Sequence, residues 1–471
     1  MEFINLTGNT VFLTDINLSV SYFEDHRPQY ISTDNIKKSN NFQQMVVCGK
    51  FNICTTTNSR VEKNLLKKQK DMNIKLNNIT SNASLIKKND SSDDVTIKIR
   101  GHFYDAGGYA KVNRNLAFGL NTLGCNLKID PIKSLKNDLK DCELRKLSNI
   151  GLSNKGSSKK TIAIDSIIPS FSEASFCGYN ILYTTIEAQT IPDQFVDACS
   201  LYNEIWVTSD FCKNILEKHN VKKPIFVIPD TVDIEKYTPN GDKYIFNPKL
   251  KDFVFLSVFG WSYRKGYDVL LKSYLQNFSG DDNVTLLIVS RYQYGIGKQD
   301  IIKSEIQKYI NRYGGSNPAH IARCGRVIPE EDMPSLYRSA NAFCLYSRAE
   351  GFCIPYIEAS LCGIPVIGTN VSGQTMFLNK DNSFLLDVDD YERVEPGTMN
   401  VHYWDSQIFP KLKSEDCIKN AGKLMREVYE NYPYAAEKNR ILSEFVKDRY
   451  SIESVSKMAK DRLDKIIREN F

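Results

Sequence analysis

The sequence predicts an α/β protein of two doubly wound domains with a cleft between them, preceded by an N-terminal extension. Three observations carry this expectation. From Val95 onward a strand, a Gly107-Gly108 turn, an amphipathic helix and a second strand follow in succession, which is how a parallel, doubly wound sheet begins. From Asp252 the same alternation starts again. Between them, residues 229–239 (PDTVDIEKYTP) form a polar, proline-bounded segment after an apolar strand, and so mark a boundary.

Size and composition agree with this division. A chain of 471 residues exceeds one ordinary core, and 42% hydrophobic with 25% charged residues is the balance of a globular protein. With 25 Tyr and 24 Phe there is apolar mass for sizeable cores. The net charge of +5, from 61 basic and 56 acidic residues, points to no nucleic-acid partner. The pairs Lys67-Lys68, Lys87-Lys88 and Lys159-Lys160 read as solvated faces, with peripheral contact to an anionic membrane as the most they imply. Twelve cysteines without a C-x-x-C pair, and five dispersed histidines, argue against a structural metal cluster. The start, MEFINLTGN, lacks a basic region before an apolar core, and no run has the length of a membrane-spanning helix. Reduced cysteines and a cytoplasmic location are therefore expected.

Taken in order, residues 1–93 form the extension. Residues 10–22 and 44–54 alternate as strands do, suggesting a small β element, and residues 62–94, dominated by Lys, Asn, Ser and Asp, read as partly disordered linker. A first Rossmann-like domain is expected over 94–238. It has strands at 95–100, 125–129, 161–164, 179–184, 204–208 and 224–228, a helix from Gly108 through Leu120, and further helices at 191–201 and 209–219. A second covers 239–430, with strands at 252–258, 284–289, 321–323 and 383–388, a helix at 269–277 and a helical turn at 333–338. The chain is helical from Glu415, and its last part, 431–471, is expected to cross back and brace the first domain.

The chemistry concentrates in residues 342–369, AFCLYSRAEGFCIPYIEASLCGIPVIGT. A short apolar strand leads into a loop holding Glu350 and Gly351. Pro355 suits a first helical turn, where its missing N–H costs nothing, and Gly363 closes the helix before another buried strand. A helix N-terminus offers free N–H groups and partial positive charge, so the loop is shaped for an anion. Two acids, Glu350 and Glu358, lie eight residues apart beside it. A ligand with both phosphates and hydroxyls fits such a site, and a nucleotide sugar is the simplest.

The segments RKGYDVLLKSY (264–274), YRSANAFCLYSRAEGFCIPYIEASLCGIPVIGT (337–369) and VSG (371–373), with GGYAKVNRNLAFGL, TTIEAQTIPDQFVDACSLYNEIWVTSDFCKNIL and IPDTVDIEKYTP upstream, resemble the retaining glycosyltransferases of family 4, glycosyl transferases group 1, which have the GT-B fold. The resemblance covers about residues 95–450. It implies transfer of a hexosyl-type sugar from a nucleoside-diphosphate donor to a hydroxyl of a glycan, protein or lipid, with retention at the anomeric carbon. It also implies no enzymic nucleophile, no metal and no other cofactor. Glu350 would accept hydrogen bonds from the donor sugar. The amides of Gly351, Phe352, Cys353 and Ile354 would approach sugar and diphosphate. Glu358 would bind the ribose, and Lys265, with Arg264, would neutralise the diphosphate. Ser372 and Gly373 fall where the family has a phosphate-proximal turn. Gly107 and Gly108 belong to the acceptor side, and Glu187 is the catalytic candidate there.

Each residue also has a bland reading. Glu350 can be an acid that merely suits the helix dipole, Glu358 an exposed helix residue, Glu187 a cap before Pro192 and Lys265 a solvated lysine. The D-V-D-D run, 387–390, reads as a solvated loop rather than a metal site. Two departures from the family pattern stand out. Trp261 follows Gly260 where the family has arginine, so either Arg264 substitutes for it or phosphate binding is weaker. The family's first-domain histidine has no counterpart: His102 falls too early, and Asp165 or Glu187 stands nearer the expected region. Two rival classes follow. One is a non-catalytic GT-B relative serving as a scaffold. The other is a different nucleotide-binding α/β enzyme, such as an oxidoreductase, but neither half has the G-x-G-x-x-G turn with its distal acid.

Overall fold

The computed structural model describes residues 2–5, 11–13, 18–20, 29–30, 51–53, 95–132, 139, 141–151, 160–169, 178–291, 299–399 and 402–471. The chain divides into two compact units, one of residues 1–89 with 144–151, the other of 90–143 with 152–471. In the first unit, β1 (Glu2–Asn5) pairs antiparallel with β4 (Gln29–Tyr30) and β5 (Phe51–Ile53), while β2 (Val11–Leu13) and β3 (Leu18–Val20) form a separate antiparallel pair. The expected linker at 62–94 lies outside the described residues up to Asp94, as do Lys67, Lys68, Lys87, Lys88 and Lys159.

The second unit contains both sheets. The first is built from β6 (Thr96–Gly101), β7 (Leu127–Pro131), β8 (Thr161–Ser166), β9 (Tyr179–Thr184), β10 (Glu204–Val207) and β11 (Ile225–Val227). All run parallel in the order β11-β10-β9-β8-β6-β7. Every residue of β8 and β10 is buried, as expected where helices cover both faces of a parallel sheet. The helices here are α1 (Gly108–Thr122), α2 (Asp193–Ser200) and α3 (Asp210–Lys218), the last capped by Ser209, whose Oγ accepts from the Cys212 amide at 3.2 Å.

The second sheet is formed by β12 (Phe253–Gly260), β13 (Val284–Arg291), β14 (His320–Cys324), β15 (Ala342–Cys344), β16 (Val366–Thr369) and β17 (Phe384–Leu386), again parallel, in the order β14-β13-β12-β15-β16-β17. The connections therefore reverse direction between β12 and β15, and such a switch opens a crevice at the carboxyl ends of the two strands. Helices α4 (Tyr267–Asn277), α5 (Gln299–Tyr313), α6 (Met333–Arg338) and α7 (Ile354–Leu361) accompany it. Ile288, Leu256, Phe343 and Ile367, all fully buried, occupy neighbouring strands of this core. Each such side chain contributes about 1.5–3 kcal/mol on burial.

Three helices finish the chain: α8 (Glu415–Glu430), α9 (Tyr432–Arg449) and α10 (Ile452–Asn470). The last returns to the first sheet and packs on α1. The fit is close enough that a Cβ at Gly119 would lie 1.9 Å from Ser456 Oγ. Features beyond the elements read from sequence include a helix over Asp141–Ser148 as well as α5 and the short hairpin β18 (Tyr391–Arg393) with β19 (Ile408–Pro410). The hairpin segment ties the sheets together. Val394, Met399, Trp404 and Phe409 enter the same apolar cluster as Leu182, Ile186, Phe195 and Ile205 of the first domain, and Thr190 Oγ1 bonds Gln407 Oε1 at 2.8 Å. Among the described residues no helix is long and apolar enough to cross a membrane.

Candidate active site

Two loops meet at the switch point. Beyond β12 the chain makes a 3-10 turn, Tyr263–Lys265, then turns at Gly266 into α4. Gly266 has φ of 66°, and a Cβ there would lie 1.8 Å from the Tyr346 carbonyl oxygen, so only glycine allows this approach. Beyond β15 the chain runs through Ser347–Cys353 to α7. The Arg348 amide donates to the Arg264 carbonyl at 2.7 Å. The buried Arg348 guanidinium forks onto Asp268 at 2.8 and 2.7 Å and lies 3.6 Å from the Tyr263 ring centroid. Arg348 thus locks one loop to the other.

Glu350 is the centre of this junction. Its Oε1 accepts from Lys265 Nζ and Ser347 Oγ, each at 2.6 Å, and its Oε2 accepts from Lys265 Nζ at 2.7 Å and Arg264 Nη1 at 3.1 Å. Burial alone would raise its pKa, but Lys265 and Arg264 outweigh it and hold the carboxyl below its ordinary range. Four contacts fill about the four acceptor positions a carboxylate has. Arg264 continues to Glu187 Oε1 at 3.0 Å, whose Oε2 accepts from Trp404 Nε1 at 3.1 Å. Burial opposes the Arg264 charge, yet Glu187 and Glu350 raise its pKa overall. Glu187 is therefore no cap, since α2 begins at Asp193, and Lys265 is no solvated lysine.

Glu358, one turn into α7, is 3% exposed, which rules out an ordinary surface residue. Its Oε2 accepts from Tyr337 Oη at 2.8 Å, and its Oε1 from Lys111 Nζ, which reaches over from α1. Lys111 also bonds Glu330 Oε1 at 2.7 Å and Tyr237 Oη at 2.9 Å.

Most of the other expected residues frame this pair. Pro355 sits in the first turn of α7, where it has no amide to pair, and the Tyr356 amide donates to the Cys353 carbonyl at 3.2 Å. Cys353 (φ 79°) and Ser372 (φ 60°) adopt left-handed backbone although neither is glycine, a strain that concentrates at functional loops. Ser372 Oγ accepts from the Glu350 amide at 3.0 Å, and Gly373 donates to the Glu350 carbonyl at 2.9 Å. A Cβ on Gly373 would lie 1.9 Å from the Gly351 carbonyl oxygen, and one on Gly351 1.4 Å from Thr185 Oγ1 of the first domain. The Phe352 side chain belongs to the core, against Phe377 and Tyr450, so only its backbone faces the loop. Gly107 precedes α1, and Lys111 follows within one turn of the Gly107-Gly108 pair.

Trp261 is buried, stacked 4.4 Å from Tyr267 and bonded to Glu305 at 2.6 Å, while Arg264 occupies the junction. Asp165 is removed from consideration as a cleft residue, because it is fully buried against Tyr202 (3.3 Å) and Arg100 (4.0 Å). His102 lies beside Asp105 at 3.5 Å. Asp387 pairs with Lys380 and Asp390 with Lys411, both at 2.8 Å and exposed, and among the described residues no three His, Cys, Asp or Glu side chains are placed to share a metal.

Sequence reasoning missed Arg348, Lys111 and Asp230. Arg348 left a signal, a lone cation inside an apolar run. Asp230 follows β11, its Oδ1 has no hydrogen-bond partner among the described residues, and burial pushes its carboxyl up to about 7 against some relief from Tyr183. Its folded pKa exceeds its unfolded one, so the native state holds a proton that the unfolded chain releases between about pH 4 and 7. Stability should therefore fall as pH rises through that window, and stay lowered above it. Asp230→Asn is expected to raise the melting temperature at pH 8, by the equivalent of roughly 2–4 kcal/mol, and to lose this advantage near pH 4. Melting curves from pH 4 to 8 test it, and a pH-independent difference would refute the assignment.

Residues 251–395 match the family model described as glycosyl transferases group 1. O-antigen chain mannosyltransferase B of Escherichia coli is 47% identical over 45 residues, 10% of this chain and 12% of the relative. D-inositol 3-phosphate glycosyltransferase of Corynebacterium jeikeium is 26% identical over 177 residues, 34% of this chain and 39% of the relative. The matches to curated relatives thus span well under half of those proteins' lengths. In fold, Anabaena HepE, solved with UDP and glucose, superposes over 79% of this chain and 100% of its own with a TM-score of 0.55 at 15% identity. Sucrose-phosphate synthase of Thermosynechococcus elongatus superposes over 80% and 100%, also at 0.55 and 15%. The chain has the GT-B fold, and its residues 251–395 match the glycosyl transferases group 1 family.

Proposed function

We propose that the protein is a retaining glycosyltransferase that moves a hexosyl-type sugar from a nucleoside-diphosphate sugar to a hydroxyl of a glycan, protein or lipid. The Glu350–Lys265–Arg264 cluster at the carboxyl ends of β12 and β15 is the observation that carries this reading. Both cations face the loop before α7, whose N-terminal amides suit phosphate. When the diphosphate enters, Lys265 and Arg264 turn toward it and leave Glu350 acceptor positions for the sugar hydroxyls. Glu358 accepts the ribose hydroxyls. The bond from the anomeric carbon to the phosphate oxygen breaks, its electrons stay on the phosphate, and both cations stabilise that charge. The acceptor oxygen bonds the same face of the anomeric carbon and its proton passes to the departing phosphate, so no enzymic nucleophile takes part. Glu187, held by Arg264 and Trp404, is the acceptor-side residue in this reading, with the Gly107-Gly108 turn assigned to the same side. The reading uses no metal or other cofactor and places the work in the cytoplasm, with at most peripheral membrane contact.

The test is a panel of UDP-, GDP- and ADP-sugars. HepE was solved with UDP and glucose, so UDP-glucose is the first donor to try. At least one donor is expected to bind and to release nucleotide, with the anomeric configuration of the product, read by proton NMR, matching the donor. Inversion would overturn the retaining assignment. Absence of binding and turnover across the panel would leave the scaffold reading.

A further inference from the structure

The ribose acid of the proposed donor site is not held by its own domain alone. Lys111 comes from α1 of the first domain, Glu358 and Glu330 come from the second, and Lys236 and Tyr237 come from the segment joining them. Lys236 bonds Glu330 at 3.2 Å and Tyr237 Oη donates to Glu330 at 2.9 Å. Two lysines and two glutamates thus form a neutral, largely buried cluster across the domain junction. Such a cluster is a poor means of stabilisation, since apolar groups of the same volume often serve as well, so its chemistry asks for another account.

We propose that Lys111 is a positioning residue of the donor site: it fixes the Glu358 carboxylate, so that the ribose site is complete only when the first domain is in place. The inference rests on the glycosyltransferase reading, in which Glu358 receives the ribose. Lys111 takes one position on Oε1 and Tyr337 one on Oε2, which leaves two of about four acceptor positions on the carboxylate. A ribose diol needs two. Lys111 therefore orients the carboxylate without blocking it. Burial alone would lower the Lys111 pKa, but Glu358 and Glu330 raise it to about 12, so the contact persists at every pH of interest.

The experiment is calorimetric titration of UDP, GDP and ADP, and of their 2′-deoxy counterparts, into wild type, Lys111→Met, Glu358→Gln and the double variant. Wild type is expected to prefer one ribonucleotide over its deoxy form about tenfold or more, the size of a hydrogen bond to a charged group. Lys111→Met should weaken that ribonucleotide about tenfold and bring the ribose preference toward one. In the Glu358→Gln background it should add nothing, because both act through one contact. Lys111→Met/Glu330→Gln, which keeps the cluster neutral, repeats the test if the single variant misfolds. An unchanged ribose preference, or additive losses, would overturn the positioning role while leaving the enzyme reading intact. A wild type that binds none of the nucleotides would overturn the donor reading itself, and this inference with it.

Discussion

Glu350→Gln is expected to lower donor turnover about 10²–10³-fold, the scale on which one directed charge contact at a developing anion is worth. The substitution keeps the volume and removes the charge. Glutamine offers one acceptor oxygen where Lys265, Ser347 and Arg264 now use two, and its amide would point a donor at another donor. Lys265 and Arg264 would lose their common anchor, so both the sugar and the diphosphate would be misplaced. Because the Glu350 pKa is held below its usual range, the carboxylate stays ionised through neutral pH, and the loss should be the same at pH 6 and pH 8. Nucleotide release measured across donor concentrations, giving kcat and KM separately, checks this, with a melting curve to confirm that the variant folds. A variant as active as wild type would sink the assignment. A loss confined to donor KM would instead make Glu350 a simple binding group, since interactions made only in the transition state lower kcat.

Much of this site was legible in the chain because its parts are local. The apolar run before Glu350, Pro355 inside the first turn of α7 and Gly363 with φ of 86° past its end are short-range choices that define strand, loop and helix by themselves. The Arg264-Lys265 turn was visible for the same reason, because Gly266 punctuates it. What escaped depends on contacts distant in sequence. Lys111 meets Glu358 across 247 positions, and nothing in the residues around Lys111 marks it as a partner. Glu187 is already a candidate in the sequence, but its partners Arg264 and Trp404 come from distant segments and are seen only in the fold. Asp165, a reasonable cleft residue by position, lies inside the sheet because Tyr202 and Arg100 receive it there. The hairpin strands β18 and β19 are three residues each, too short for period-two alternation to show, and they exist because the first domain's core covers the segment between them.

The second large effect concerns the helix that closes the molecule. Arg462 of α10 reaches Glu204 at the start of β10 through two contacts, the Nε–Oε1 bond at 3.1 Å and a shorter one from Nη2 to Oε2, and it also lies 3.9 Å from the Phe226 ring centroid. Glu204 is 0% exposed. Arg462→Met keeps the apolar stem but leaves a buried carboxylate without its cation, a loss expected to destabilise by about 3–5 kcal/mol. Trp206 at 2.7 Å and Tyr179 at 2.9 Å remain on Glu204, so its hydrogen bonds are not all lost and the missing charge is the main cost. Adding Glu204→Gln should restore part of the stability, because the orphaned charge disappears with its partner. Amide hydrogen exchange is the suited readout in a two-domain protein, where a single unfolding midpoint mixes transitions. Exchange should quicken across α10 and the α1 face beneath it, while β12 and β13 keep their protection. Uniform quickening through both sheets would mean that α10 holds the whole unit together rather than bracing the first domain, and no change at all would mean that the Arg462–Glu204 contact is idle.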